Sequence, residues 1–300
     1  MNAIAEALEL ARPQRELPMQ AFESRYHALL ESTQGNANPV VQALRESARA
    51  GGKRVRPKLM MHAALDLGLD PSDCLSVAAA VEMIHTASLV FDDLPCMDDA
   101  LLRRGRPTLH RQYGEDVAIL AGIALMMKAF EAVTADISMT PLQRLSVANR
   151  LSAVAGLDGL VSGQIRDLRG GESGGTIDDI AATNALKTGS LFTVALESVG
   201  IMAGGDDSVM RALRGFSYEL GHAFQLADDL KDDSANDPSL YGKDVGKDHG
   251  KLTCPRVLGN AHTRSRIKRH VESADGYLQC SDCGFSSARQ YLRDLCADMV

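Results

Sequence analysis

Residues 74–99 read CLSVAAAVEMIHTASLVFDDLPCMDD, and the fold turns on how this stretch is read. Val77, Val81, Ile84 and Ser88 recur at intervals of three and four, which is one stripe of a helix, and Asp92 continues it. The helix is strongly apolar, yet it runs into four acids: Asp92, Asp93, Asp98 and Asp99. Pro95 stops regular helix, so the chain is able to turn and bring Asp98 back towards Asp92. Like charges packed this closely need either a counter-charge or full solvation.

The same helical periodicity recurs outward from this point. It predicts helices over 19–32, 37–50, 54–67, 113–134, 141–167, 178–202, 207–232, 252–275 and 285–298. Alternating strand-like runs are nearly absent. Glycine-rich breaks fall at 169–175 and 204–207, and a longer one at 234–250 is rich in Asp, Gly, Lys and Pro. No repeat or linker divides the chain. We therefore expect one large all-α domain over residues 1–300, with 1–18 (Pro13, Pro18) as a loose arm.

Composition narrows the function. The 300 residues carry 32 basic and 39 acidic side chains, a formal charge of −7, which argues against non-specific nucleic-acid binding. A hydrophobic share of 45% argues against disorder. No run reaches the roughly 20 apolar residues of a membrane span; the best, Val117–Met127, ends at Lys128. Residues 1–6 have no basic segment of a secretory signal. Six cysteines do not make a disulfide framework, so a reducing, cytoplasmic setting is expected. Cys280 and Cys283 form a lone CxxC, which is weak evidence for zinc.

A second acidic cluster, Asp228-Asp229-Leu230-Lys231-Asp232-Asp233, also ends an apolar helix. Asp228 and Asp232 are four apart and share a helical face. One such cluster reads as a solvated helix end. Two of them suit a hard, oxygen-seeking cation, Mg²⁺ in particular, which shares its shell with substrate phosphate. The spaced acids, central glycine and terminal glutamate of an EF-hand are missing.

Basic clusters accompany the acids: Gly51-Gly52-Lys53-Arg54-Val55-Arg56-Pro57, Arg103-Arg104-Gly105-Arg106-Pro107, Lys187-Thr188-Gly189, and Lys243, Lys247 and Lys251 at every fourth residue. Acids and cations together describe a polyanion held through metal and by direct contact. No GxxxxGK[ST] is present, so a P-loop is not expected. His85 lies seven residues before Asp92, close to the same helical face, where it serves either as a core residue or as a phosphate contact.

Taken in order, these segments resemble the trans-isoprenyl diphosphate synthases. The match includes both aspartate motifs, Gly51–Pro57, Arg103-Arg104-Gly105, Gly163–Leu168, Lys187-Thr188-Gly189 and Phe224-Gln225, over about residues 45–255. His85-Thr86-Ala87-Ser88 and Gly242–Lys251 resemble the bacterial carotenoid-type geranylgeranyl diphosphate synthases. The resemblance implies antiparallel helices around a deep central cavity, usually in a homodimer. It implies Asp92, Asp98 and Asp228 as Mg²⁺ ligands supported by Asp232, with about three ions holding an allylic diphosphate. Arg103, Lys187, Thr188, Gln225, Lys243 and Lys251 would also contact that diphosphate. Lys53, Arg56, His85 and Arg104 would hold isopentenyl diphosphate. The sequence departs from relatives at Ile123, where many carry Asp in a GDAL segment, and at Leu230-Lys231 inside the second motif.

Product length is expected to depend on residues preceding Asp92. In this family bulky aromatic side chains four and five positions earlier resemble a floor that stops growth at the C15 product. Here Ala87 and Ser88 stand there, so the chain is expected to pass on towards Ile84 or Met83 and end at C20. Other readings make different demands. A class I terpene cyclase needs no second diphosphate site, which Lys53, Arg56 and Arg104 would otherwise supply. A non-catalytic regulatory subunit would be expected to lose acids from one motif, and both are intact.

Overall fold

The computed structural model describes residues 17–31, 35–170, 176–234, 253–279 and 284–297. Helix α1 (Met19–Leu29) precedes α2 (Pro39–Arg49), which starts on the Asn38 side chain accepting from the Val40 amide. After α3 (Val55–Asp66) and a 3₁₀ turn at Pro71–Cys74 comes α4 (Leu75–Asp92), the helix expected from the opening stretch. A short hairpin follows, β1 (Leu102–Arg103) against β2 (Arg106–Pro107), with Leu102 opposite Pro107. The rest is helical: α5 (Leu109–Tyr113), α6 (Glu115–Thr134), α7 (Pro141–Ala155), α8 (Leu160–Arg169), α9 (Ile177–Asn184), α10 (Ser190–Met202), α11 (Asp207–Ser234), α12 (Cys254–Leu258), α13 (Asn260–Gln279) and α14 (Ser286–Ala297). The architecture is all-α, as expected.

Three boundaries differ from the periodicity. The helix expected over 141–167 is two, α7 and α8, because the chain doubles back between them. A Cβ on Gly159 would stand 2.1 Å from the Val154 carbonyl oxygen. The helix expected over 252–275 breaks at Gly259, which takes φ +79°. Residues 178–202 divide at a π turn, Ala185–Gly189, between α9 and α10. Apolar periodicity runs through all three breaks, which is why it does not register them.

Helix α4 is the centre of the core. Its small residues Ala78, Ala79, Ala80 and Ala87 are buried, as are Ala118, Ala121, Gly122 and Ala129 of α6, the helix packed most extensively against it. Small side chains let two axes approach closely. On α10, Glu197 is fully buried and takes Arg150 of α7 (Nε–Oε2 2.7 Å) and Arg214 of α11, tying three helices with one carboxylate. By length and apolar content two segments, Pro71–Asp92 and Glu115–Thr134, would each reach across a membrane, beyond what Val117–Met127 suggested. The first is mostly enclosed by the protein, while the second exposes Ile119, Leu120, Ile123 and Met127 on one side.

Helices α11 and α13 meet at an aromatic stack. His222 lies against His270 with ring centroids 5.1 Å apart and edge-on to Tyr218 at 4.5 Å, while His270 Nδ1 sits 2.6 Å from Glu219. Burial, with His270 adding to it, pushes the His222 imidazole down to about 4. Below the ordinary value of 6.5 the unfolded chain takes up a proton that the folded chain refuses, so stability falls as pH falls from about 6.5 to about 4. We expect the melting temperature to drop across that window, and His222→Phe, which keeps a stacked ring without a titrating group, to flatten the drop.

Candidate active site

The helices enclose a cavity of about 780 Å³, within the size range of small-molecule sites. Both acidic motifs line it. Asp92 and Asp98 come from the end of α4 and the turn after it, where the Asp98 amide donates to the Asp92 carbonyl at 2.9 Å. This is the return around Pro95 that the spacing suggested. Asp228 and Asp232 come from α11 and line the same cavity.

Both motifs begin with a pair of aspartates. The second acid of the pair is tied down by a neighbour: Asp93 is buried and receives Arg103 Nη2 at 2.5 Å and Nε at 3.0 Å. Asp229 accepts from Gln225 Nε2 at 2.9 Å, and Gln225 Oε1 accepts from Thr188 Oγ1 at 2.6 Å. Asp92, Asp98, Asp228, Asp229 and Asp232 line the cavity, whereas Asp93 does not. Burial pushes the Asp92 carboxyl above its usual range, against the pull of Lys187. Burial likewise raises Asp93, opposed by its bond from Arg103.

Lys187 and Thr188 reach the cavity from the π turn. An extra residue inserted in a helix re-aims the side chains around it. Lys187 Nζ lies 2.7 Å from Asp167 and 3.5 Å from Asp92, so it bridges α8 to the first motif. Asp167 belongs to the Gly163–Leu168 segment but was not singled out by sequence; its signal was its place in that segment. Two glycines let neighbours close on the turn. A Cβ on Gly163 of α8 would stand 2.5 Å from the Lys187 nitrogen, and one on Gly221 of α11 would stand 2.5 Å from the Gly189 Cα.

The cations expected to hold a second diphosphate line the same cavity. Lys53 is exposed, while Arg56 is buried with its guanidinium 4.5 Å over the Phe192 ring. The Arg56 Nε is buried without a hydrogen-bond partner, and burial pushes the group down to about 10, opposed by Glu82 and Asp228. Arg104 donates to the Gly51 carbonyl. His85 is held well below its ordinary value by burial, then by Arg56, Arg104, Arg103 and Arg54. It is a neutral imidazole at pH 7, available as a hydrogen-bond donor rather than as a charge. Arg54 was grouped with these cations by sequence, but its donors are already engaged by Glu82, Glu23 and the Ala48 carbonyl.

Ile84, Ala87 and Ser88 line the cavity, with the Ser88 hydroxyl turned back to the His85 carbonyl at 2.8 Å. Met83 is fully buried and is not part of the lining. Phe91 and Met126 complete the apolar wall nearby in sequence and on α6. Lys243, Lys251, Cys280 and Cys283 lie outside the described residues. Among the described residues no three acidic, histidine or cysteine side chains form a ready-made metal cage. All four candidate ligands are nevertheless carboxylates on one cavity, a donor set that fits Mg²⁺ completing its shell with phosphate oxygens.

Gly163→Ala should force α8 away from the π turn, at a cost of about 1–3 kcal/mol in unfolding free energy. Chemical denaturation reads that loss, and Gly170→Ala, where an added Cβ meets nothing within 4 Å, serves as the control.

Comparison with known proteins agrees with this geometry. The family described as polyprenyl synthetase matches residues 38–276, past the point near 255 where recognisable motifs end. The chain is 42% identical to the geranylgeranyl diphosphate synthase of Pseudescherichia vulneris, over 93% of this chain and 91% of that one. It is 37% identical to the farnesyl diphosphate synthase of Geobacillus stearothermophilus, over 93% and 94%. The crystal structure of a Helicobacter pylori geranyltransferase complexed with magnesium and isoprenyl diphosphate aligns with a TM-score of 0.82 at 26% identity, covering 96% of this chain and 98% of that one. Two aspartate motifs facing one cavity, with cations around them and relatives of this kind over nearly the whole chain, make it a member of the polyprenyl synthetase family, the trans-prenyltransferases.

Proposed function

We propose that the protein is a Mg²⁺-dependent synthase that condenses isopentenyl diphosphate with allylic diphosphates to give geranylgeranyl diphosphate. The observation that carries this reading is that two acidic motifs and a second cluster, the cations Lys53, Arg56 and Arg104, line one cavity. A cyclase has no use for that second cluster. About three Mg²⁺ ions would supply positive charge that offsets the charge growing on the leaving group. Asp92, Asp98 and Asp228 would hold them, supported by Asp232.

The chain's own residues then have distinct parts. Arg103, Lys187, Thr188 and Gln225 bind the allylic diphosphate, joined by Lys243 and Lys251 from the segment after α11. Lys187, 3.5 Å from Asp92, stabilises the negative charge that develops on the departing diphosphate. Lys53, Arg56, Arg104 and neutral His85 hold isopentenyl diphosphate so that its double bond faces the allylic carbon. The double bond attacks as that carbon loses its diphosphate, and a proton then leaves to the released diphosphate. Phe91, Met126, Leu160, Leu191 and Phe224 line the cavity and keep water from the cationic carbon.

The small side chains of Ala87 and Ser88 favour a C20 product over C15, and the 42% identical relative bears the same activity in its name. The exposed apolar face of α6, with Ile119, Leu120, Ile123 and Met127, favours a homodimer. The free thiols at Cys74, Cys96, Cys254 and Cys296 fit a cytoplasmic setting.

Asp92→Ala should lower turnover by at least about 10³-fold while leaving the melting temperature little changed; near-normal turnover would remove Asp92 from the machinery. Purified protein given isopentenyl diphosphate, Mg²⁺ and each allylic starter should release a C20 alcohol after dephosphorylation, identified by mass. Ala87→Tyr should shorten it to C15. A C15 product from the unaltered protein would keep the reaction and overturn the role of Ala87, whereas a released hydrocarbon would identify a cyclase.

A further inference from the structure

Glu82 is almost fully buried on α4, one turn before His85, and it lines the cavity. A carboxylate beside a site built for diphosphate is a cost unless it does something. Its direct partner is Arg54, whose Nη1 donates to Glu82 Oε1 at 2.8 Å. The remaining donors of Arg54 are also engaged: Nε to Glu23 Oε1 at 2.9 Å, Nη2 to Glu23 Oε2 at 3.2 Å and to the Ala48 carbonyl at 3.3 Å. The guanidinium lies 4.9 Å from the Tyr26 ring centroid and 5.9 Å from that of Phe22. Tyr26 in turn shares a hydrogen bond with Thr86, whose hydroxyl donates to the Glu82 carbonyl.

The backbone of Arg54 explains what this clamp is for. Arg54 takes φ +49° and ψ +42°, a left-handed conformation that costs a side-chain-bearing residue about 1 kcal/mol or more. It does so between Lys53 and Arg56, immediately after Gly51 and Gly52, which also have positive φ. A left-handed residue at that point reverses the chain's course and decides which way Lys53 projects and where α3 begins. Such a conformation persists only when its surroundings over-determine it. The Glu82 carboxylate, fixed on the central helix, supplies the buried half of that determination, and half-buried Glu23 supplies the other.

We infer that Glu82 is a positioning residue for the isopentenyl diphosphate site, acting through Arg54 to hold the turn that aims Lys53 and Arg56. The inference rests on the reading of Lys53, Arg56, His85 and Arg104 as that site. It separates two effects of opposite sign. As a bare charge, Glu82 weakens the field that attracts diphosphate, so removing it would tighten binding. As an anchor, it keeps the cations in place, so removing it loosens binding.

The test measures KM for each substrate separately in Glu82→Gln, Arg54→Met, the double variant and Arg56→Met. Glu82→Gln should raise KM for isopentenyl diphosphate about tenfold and leave that for the allylic diphosphate within about twofold. The double variant should be no worse than the worse single variant, since the two residues act as one unit. A lowered KM for isopentenyl diphosphate, or equal rises for both substrates, would overturn the inference. Arg56→Met reports on the underlying reading: if it leaves KM for isopentenyl diphosphate unchanged, the site assignment fails; if it raises that KM while Glu82→Gln does not, only the role of Glu82 fails. Should Glu82→Gln melt below the assay temperature, Glu82→Asp and Arg54→Lys keep the charges, disturb the clamp geometry and are read by the same substrate split.

Discussion

Charge buried beside charge is the constraint on which this structure depends. Helix α4 runs through the core and still has to present Glu82, His85 and Asp92 to a cavity. An ionised group taken out of water is tolerated only with a partner close by. The fold answers with Arg54 for Glu82, Lys187 for Asp92 and Arg103 for Asp93. These pairs come from four different segments, so the positions of α3, α4, the β-hairpin and the π turn are fixed against one another by electrostatic need as well as by apolar packing. Arg56 is the exception, resting on the Phe192 ring with a buried Nε that no protein group satisfies.

The same helix meets a second demand with its small residues. Ala78, Ala79 and Ala80 give α6 and other neighbours room to approach, while Ala87 and Ser88 put only small side chains on the cavity wall. Phe91 is the large side chain in this stretch of α4, and it finds space against Gly122, where any Cβ would stand 2.5 Å from the ring. Close packing outside the cavity and open volume inside it are thus set by one alternation of large and small side chains.

Much of this was legible in the sequence because it was written in local signals. The acids at 92–99 and 228–233 follow apolar helices, and Pro95 marks the turn between Asp92 and Asp98. Their convergence on one cavity agrees with both spacings. What was illegible depends on pairs distant in the chain. Glu82 looks like any polar residue in a helical stripe until Arg54 is seen beside it. Arg54 looks like one more phosphate-seeking cation until its donors are found occupied. The breaks at Gly159 and Gly259 leave apolar periodicity intact on either side, so the period alone runs through them. The π turn is invisible for a related reason: Ala185, Leu186 and Lys187 are ordinary helix formers, and nothing in the local order of residues separates a π turn from an α turn.

That turn has a consequence for how the chain is free to change length. Without its extra residue, α9 and α10 would form one continuous α-helix, in which each residue advances the face by about 100°. Deleting a single residue between Ala185 and Gly189 would therefore restore regular winding and leave the two flanks near their present phase. What would be lost is the aim of Lys187 and Thr188, which the wider turn presents to the cavity. The extra residue serves aim rather than length, at a place where Gly163 and Gly221 give the wider turn room.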